Sequence, residues 1–214
     1  QMCIRDSNTT YFEIVTEYNR LFRDKHQFGG LFVFYFSEAL NTLSNQNAFS
    51  TLPRRNMGLS GRLSYNFKEK YFLEANFGYN GSERFAKDER YGFFPSAGLG
   101  WILSNEDFFA DALPFVSLFK LRYTYGLVGN DGISSDQDRF FYLSDVSFND
   151  GSRGYSFGED YNNYFNGYNI NRYSNPEVTW EVATKENYAL ELEFAEKLMI
   201  CLLYTSDAAD DGIR

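Results

Sequence analysis

The sequence predicts an all-β chain: an antiparallel up-and-down membrane β-barrel, present as about seven strands of a larger barrel. Three observations predict it. Apolar and polar residues alternate with period two over several segments. The links between those segments alternate between short and long. Aromatic residues mark both ends of the apolar phases, as in a wall with hydrocarbon on one side and water on the other.

The strands can be read in order. Tyr11–Arg20 and Phe28–Ala39 read as two strands with imperfect alternation, notably in the run GGLFVFYF. From Met57 to Phe67, the positions Met57, Leu59, Leu63, Tyr65 and Phe67 alternate with Gly58, Ser60, Arg62, Ser64 and Asn66. Lys68-Glu69-Lys70 makes a turn. Tyr71, Leu73, Ala75, Phe77 and Tyr79 then oppose Glu74, Asn76, Gly78 and Asn80, and only Phe72 breaks the pattern. Phe93, Ala97, Leu99, Trp101 and Leu103 share one side of the next strand. A connector follows from Ser104, and Asp107 three residues later forms a capping box that predicts one helical turn. Phe119, Leu121, Tyr123, Tyr125 and Leu127 alternate with Lys120, Arg122, Thr124 and Gly126. The last strand places Val178, Trp180, Val182, Tyr188, Leu190, Leu192 and Phe194 on one face, interrupted by Thr184 and Glu186.

Short links fall near 21–26, 68–70 and 195–197, with the capped connector at 104–117. Longer polar links fall at 40–55, 82–92 and 129–176. Short turns on one rim and long loops on the other is the arrangement of bacterial outer-membrane barrels. Phe67, Tyr71, Trp101, Phe119 and Phe194 form a girdle on the short-turn rim. Tyr79, Phe93, Tyr125 and Trp180 form a second one on the long-loop rim. Tyr71 to Tyr79 and Phe93 to Trp101 are each eight residues, or about 27 Å along a strand at ~3.4 Å per residue. A tilt of ~40° leaves about 21 Å of height, close to the ~25 Å apolar band of a barrel.

Composition fits a two-faced wall. Aromatics make up 20% of 214 residues and the mean hydropathy is −0.44, so the chain is rich in rings yet polar overall. No run reaches the ~18 apolar residues of a membrane helix. A net charge of −9 argues against nucleic acid as a partner. The ends read differently from the rest. QMCIRDS and CLLYTSDAADDGIR resemble translated sequencing-library adapter, so residues 1–7 and 201–214 are expected to be non-native tails around a partial barrel at 8–200. Both cysteines, Cys3 and Cys201, lie in those tails. The tails carry two of the 20 basic and four of the 29 acidic residues, and the remainder stays acidic at −7.

Little in the sequence points to catalysis or to a cofactor. The one histidine, His26, sits near a turn. Asp131, Asp136 and Asp138 offer oxygen ligands of the kind calcium takes, but their spacing is not that of an EF-hand. They read as a solvated acidic loop, and no cofactor is expected. Arg62, Glu74, Lys120, Arg122, Glu181, Lys185 and Glu191 fall in the polar phase. They are expected to face the lumen, because a charge on the lipid face is costly.

Four segments carry a resemblance. GSERFA (Gly81–Ala86), RYGFFPSAGLGWILSNEDFF (Arg90–Phe109), FKLRYTYGLVGN (Phe119–Asn130) and NPEVTWE (Asn175–Glu181) resemble, in order and spacing, the C-terminal half of the barrel in SusC/RagA-type TonB-dependent outer-membrane transporters. The resemblance implies a 22-stranded barrel with an N-terminal plug, energised through TonB, importing oligosaccharides or peptides. It also implies a SusD-like surface lipoprotein as lid. On that reading the lumen charges pair with one another or with the plug. Tyr142, Tyr155, Tyr161, Tyr164, Tyr168 and Tyr173, interleaved with Asn and Asp, contact substrate or lid, or else pack the loop onto the rim. Two alternatives stay open: a soluble secreted carbohydrate-binding β-sandwich, and a porin-like barrel without TonB coupling.

Overall fold

The structure is a computed structural model and describes residues 7–41, 52–113, 115–132, 140–195 and 197–210. Among these residues ten strands form: β1 (Ser7–Phe22), β2 (His26–Asn41), β3 (Arg54–Phe67), β4 (Tyr71–Ser82), β5 (Tyr91–Ile102), β6 (Val116–Asn130), β7 (Asp145–Phe157), β8 (Asn163–Arg172), β9 (Glu181–Phe194) and β10 (Leu198–Asp210). Eight of them make one antiparallel sheet in the order β1-β2-β3-β4-β5-β6-β9-β10. Each strand pairs with its neighbour in sequence, except that β7 and β8 leave as a separate two-stranded hairpin between β6 and β9. The sheet is open, and β1 and β10 are its two edges. No helix among the described residues is long and apolar enough to cross a membrane.

Short turns set the register. Arg23 and Asp24 between β1 and β2, and Lys68 and Glu69 between β3 and β4, all have positive φ near 50–56°. Each link is three residues long, and two successive left-handed residues suit the right-handed twist of the strands they join. The Asn66 carboxamide oxygen accepts the Glu69 N–H at 2.9 Å and holds the second of these turns. Within the sheet the pairing shifts only once, between Val116 and Leu118.

Alternation predicts the two faces correctly. Leu63, Leu73 and Leu99 lie on one face and are about half exposed, at 53%, 50% and 55%. Phe77, Tyr123 and Leu190 share that face. No second layer covers them: the described residues form one sheet and one hairpin, and the hairpin pairs only with itself. The small core lies elsewhere. Phe85, Phe140 and Trp180 are buried beside the long-loop rim, and Ala189 is buried within β9.

Two local features differ from expectation. The long link is not irregular throughout, since residues 145–172 fold into the β7–β8 hairpin. Its Asn, Gly and Ser content hides the strands, and three register shifts blur their alternation. The helical turn is present as a 3-10 turn (Leu103–Asn105) followed by α1 (Asp107–Ala112), but Ser104 does not cap it. Glu106 is the N-cap residue, and Ser104 Oγ is buried without a partner. β10 pairs residue for residue with β9 from Leu198 to Asp210.

Candidate functional site

The polar face of the sheet gathers the charged residues of the alternating phase. Arg62 and Glu74 meet across β3 and β4 at 2.6 Å, and Asn76 donates to the other Glu74 oxygen at 2.9 Å. Lys120 on β6 bonds Glu191 on β9 at 3.2 Å. Lys185 meets Asp207 of β10 at 3.1 Å, and Asn130 donates to Glu181 at 2.9 Å. Arg122 lies between Gly100 and Ala189 in the same row and makes no ion pair among the described residues. Small residues around it leave a depression of about 840 Å³, floored by Gly98, Gly100 and Gly126. The face is therefore polar, largely self-paired, and open at its centre.

The reverse face is mainly apolar, interrupted by Glu186 opposite Tyr125, and bounded by rings. Phe67, Tyr71 and Trp101 stack in series toward the short-turn rim, at 6.4 and 6.1 Å between centroids. Phe119 stacks on Phe109 at 5.4 Å, and Phe194 stacks on Phe115 at 6.4 Å. Toward the long-loop rim Phe93 packs on Phe77, Tyr79 stacks on Tyr91 at 5.4 Å, and Tyr125 is exposed. Tyr91 belongs to this row by phase, although alternation counting starts one pair later and leaves it out. Tyr123, Tyr188 and Tyr204 form a ladder across β6, β9 and β10.

Trp180 does not join the second row. Pairing of β9 begins one residue later, so its ring turns into the rim instead. It lies 5.3 Å from Phe85 and 5.2 Å from Phe94, and its Nε1–H donates to the Arg90 carbonyl at 3.2 Å. Phe94 fills the space that side chains at Gly92 and Gly129 would occupy, as a Cβ there would sit 2.3 and 2.0 Å from its ring. The same carbonyl of Arg90 accepts Ser82 N–H at 3.1 Å. Ser82 Oγ donates to Asp131 Oδ2 at 2.7 Å, and Arg84 donates to the Asp131 carbonyl at 3.3 Å. Segments 81–86, 90–94, 129–131 and 180 thus converge on one small core.

The short-turn rim carries a second polar knot. Glu106 accepts Lys70 Nζ at 2.9 Å and Trp101 Nε1 at 3.4 Å, and Asn105 donates to the Glu69 carbonyl at 2.7 Å. Hydrogen bonds from Tyr71 and then Lys70 hold the Glu106 carboxyl below the usual carboxylate range. The bond to Glu106 in turn pushes the Lys70 ammonium up.

Known proteins share both sequence and fold with this chain. TonB-dependent receptor P39 of Formosa agariphila is 27% identical over 220 residues, covering 90% of this chain and 20% of the receptor. TonB-dependent receptor SusC of Bacteroides thetaiotaomicron is 35% identical over 156 residues, covering 71% of this chain and 14% of SusC. The RagAB peptide importer in its closed-closed state superposes with a TM-score of 0.71 at 18% identity, over 96% of this chain and 24% of that one. The chain has the sequence and fold of a SusC/RagA-type barrel segment. It spans a fifth or less of the length of these curated receptors. No family model matches it.

In this SusC/RagA-type segment the long loop presents its tyrosines outward. Tyr155, Tyr161, Tyr164, Tyr168 and Tyr173 are all more than half exposed on or beside the β7–β8 hairpin. Tyr155 and Phe165 are cross-strand partners, and Phe157 packs edge-on to both. Only Tyr142 packs inward, 5.9 Å from the buried Phe140. His26 hydrogen-bonds Tyr65 at 2.8 Å and packs on Phe67. Asp131 is occupied by Ser82, and Asp136 and Asp138 lie outside the described residues. Among the described residues no three His, Cys, Asp or Glu side chains gather to hold a metal.

Proposed function

We propose that the chain forms part of the wall and extracellular loops of an outer-membrane, TonB-dependent importer of oligosaccharides or peptides. One observation carries this reading: a single-layer sheet has a ring-bounded apolar face and a self-paired charged reverse. A soluble sandwich would bury the apolar face under a second sheet. A barrel wall leaves it to hydrocarbon and turns the charges to the lumen. The receptor relatives and the RagAB fold support the same reading, and they favour transport over catalysis.

The roles divide by place. The apolar face meets outer-membrane lipid. Arg122 and the glycine-floored depression face the plug, which couples to TonB. The exposed tyrosines of β7 and β8 meet the imported molecule or a SusD-like lipoprotein at the cell surface, since ring faces and Asn amides suit both sugar and peptide. The reading invokes no cofactor and no nucleic acid. The test is fractionation of the full-length protein. Recovery in the outer membrane, released only by detergent, is the expected result. Recovery in the soluble fraction would overturn it.

A further inference from the structure

We propose that a pocket on the lipid side of the long-loop rim binds the phosphate of an outer-leaflet glycolipid headgroup. The pocket has a volume of about 310 Å³, at the low end of ligand-binding cavities. Phe36, Tyr91, Phe140 and Tyr142 line it, together with Arg55, Arg90 and Glu83.

Its position comes from register. Phe36 pairs with Met57, Met57 with Gly81, and Gly81 with Tyr91, so this row lies on the apolar face. It is the next outward row beyond Tyr79 and Phe93. Arg55 lies two residues further out on the same face, paired with Glu38. If the aromatic rows mark the edge of hydrocarbon, as the proposed function holds, the pocket opens at headgroup level.

Charge names the occupant. The Arg90 side chain makes no hydrogen bond or ion pair among the described residues, and its Nε is shut off from solvent without a partner. With no acceptor for its terminal nitrogens among the described residues, this guanidinium suits a phosphate or carboxylate reaching those nitrogens. Arg55 donates from Nε to Glu38 at 3.1 Å, and its N–H donates to Glu83 at 2.8 Å. With that carboxylate on its Nε, and 58% of the side chain exposed, its terminal nitrogens are left for a second acceptor. Glu38 and Glu83 oppose a free anion entering from bulk water. A lipid phosphate is already concentrated at this level, and the partly exposed rings of Phe36, Tyr91 and Tyr142 offer faces to the sugar that carries it.

The experiment uses the full-length protein in phosphatidylcholine nanodiscs, with and without monophosphoryl lipid A, and native mass spectrometry to count retained glycolipid. Wild type is expected to retain it. Arg90→Gln and Arg55→Gln are each expected to retain about tenfold less, the loss of one charge-assisted contact. Removing the phosphate from the glycolipid should lower retention by wild type similarly, and excess inorganic phosphate should not displace it. Heat-modifiable gel migration reports folding. If Arg90→Gln fails that check, Arg55→Gln, which is exposed and outside the rim core, decides. Undiminished retention by the folded variants would overturn the site, and displacement by inorganic phosphate would overturn the lipid assignment. A wild type embedded in the outer membrane but free of glycolipid would sink this proposal alone, whereas a soluble wild type would sink the proposed function.

Discussion

Phe85 is the most deeply buried side chain among the described residues, at 1% exposure, in a chain that otherwise buries little. It supports Trp180, whose indole N–H ties the β9 entry to the Arg90 carbonyl. Truncating such a ring leaves a cavity the rim cannot collapse into. Phe85→Ala is expected to cost about 3 kcal/mol in chemical unfolding of the refolded full-length protein, and Tyr168→Ala under about 0.5 kcal/mol. Equal costs would show that the rim core is not a core. Glu106 adds a pH dependence. Its folded carboxyl is held below the usual range, so the stability it contributes is present above the unfolded carboxylate value. That contribution disappears as pH falls through the folded value. Lys70 has the opposite sign, contributing below the unfolded ammonium value and losing it as pH rises through the folded one. Acidification should therefore destabilise wild type more than Glu106→Gln, measured as the shift in denaturation midpoint between neutral and acid pH.

At the scale of elements, the strands of the main sheet were legible because period two is a strong signal wherever one face is apolar. Phases predicted for Met57–Phe67, Tyr71–Tyr79, Phe93–Trp101 and Phe119–Leu127 agree with the observed registers, whereas Leu103 falls in the 3-10 turn after β5. The β7–β8 hairpin was not legible. Both its faces are exposed, so nothing forces its sequence to alternate, and its register slips three times. Trp180 was placed on the apolar face because parity alone cannot tell where pairing starts. Ser104 matched a capping pattern, but the helix starts after Glu106, whose side chain is bound to Lys70 and Trp101. The rim core was foreshadowed only as four separate motifs, because pattern reading along one chain does not show which loops meet. Ion pairs across strands are a modest stabiliser. Arg62 and Glu74 are 56% and 37% exposed, so a double-mutant cycle is expected to give about 0.2–1 kcal/mol of coupling. A coupling of several kcal/mol would mean the pair is shielded from water, contrary to a wet lumen.

For the whole molecule, the proposed function requires that one curtain of strands separate two solvents. Its edges, β1 and β10, leave backbone donors and acceptors unpaired. The isolated chain is therefore expected to aggregate or to require detergent, and a monodisperse species in plain buffer by light scattering would count against the account. A charge on the apolar face should be excluded where the same charge on the polar face is accepted. Leu99→Arg is expected to cost about 2–4 kcal/mol, and Thr124→Arg much less, when the full-length protein is folded into bilayers. The most direct test places a nitroxide at Leu99 or at Thr124 in the bilayer-embedded full-length protein and compares its collisions with oxygen and with a water-soluble nickel complex. The account expects oxygen-dominated relaxation at 99 and nickel-dominated relaxation at 124. Nickel access at both positions, or protection of both from either reagent, would contradict it.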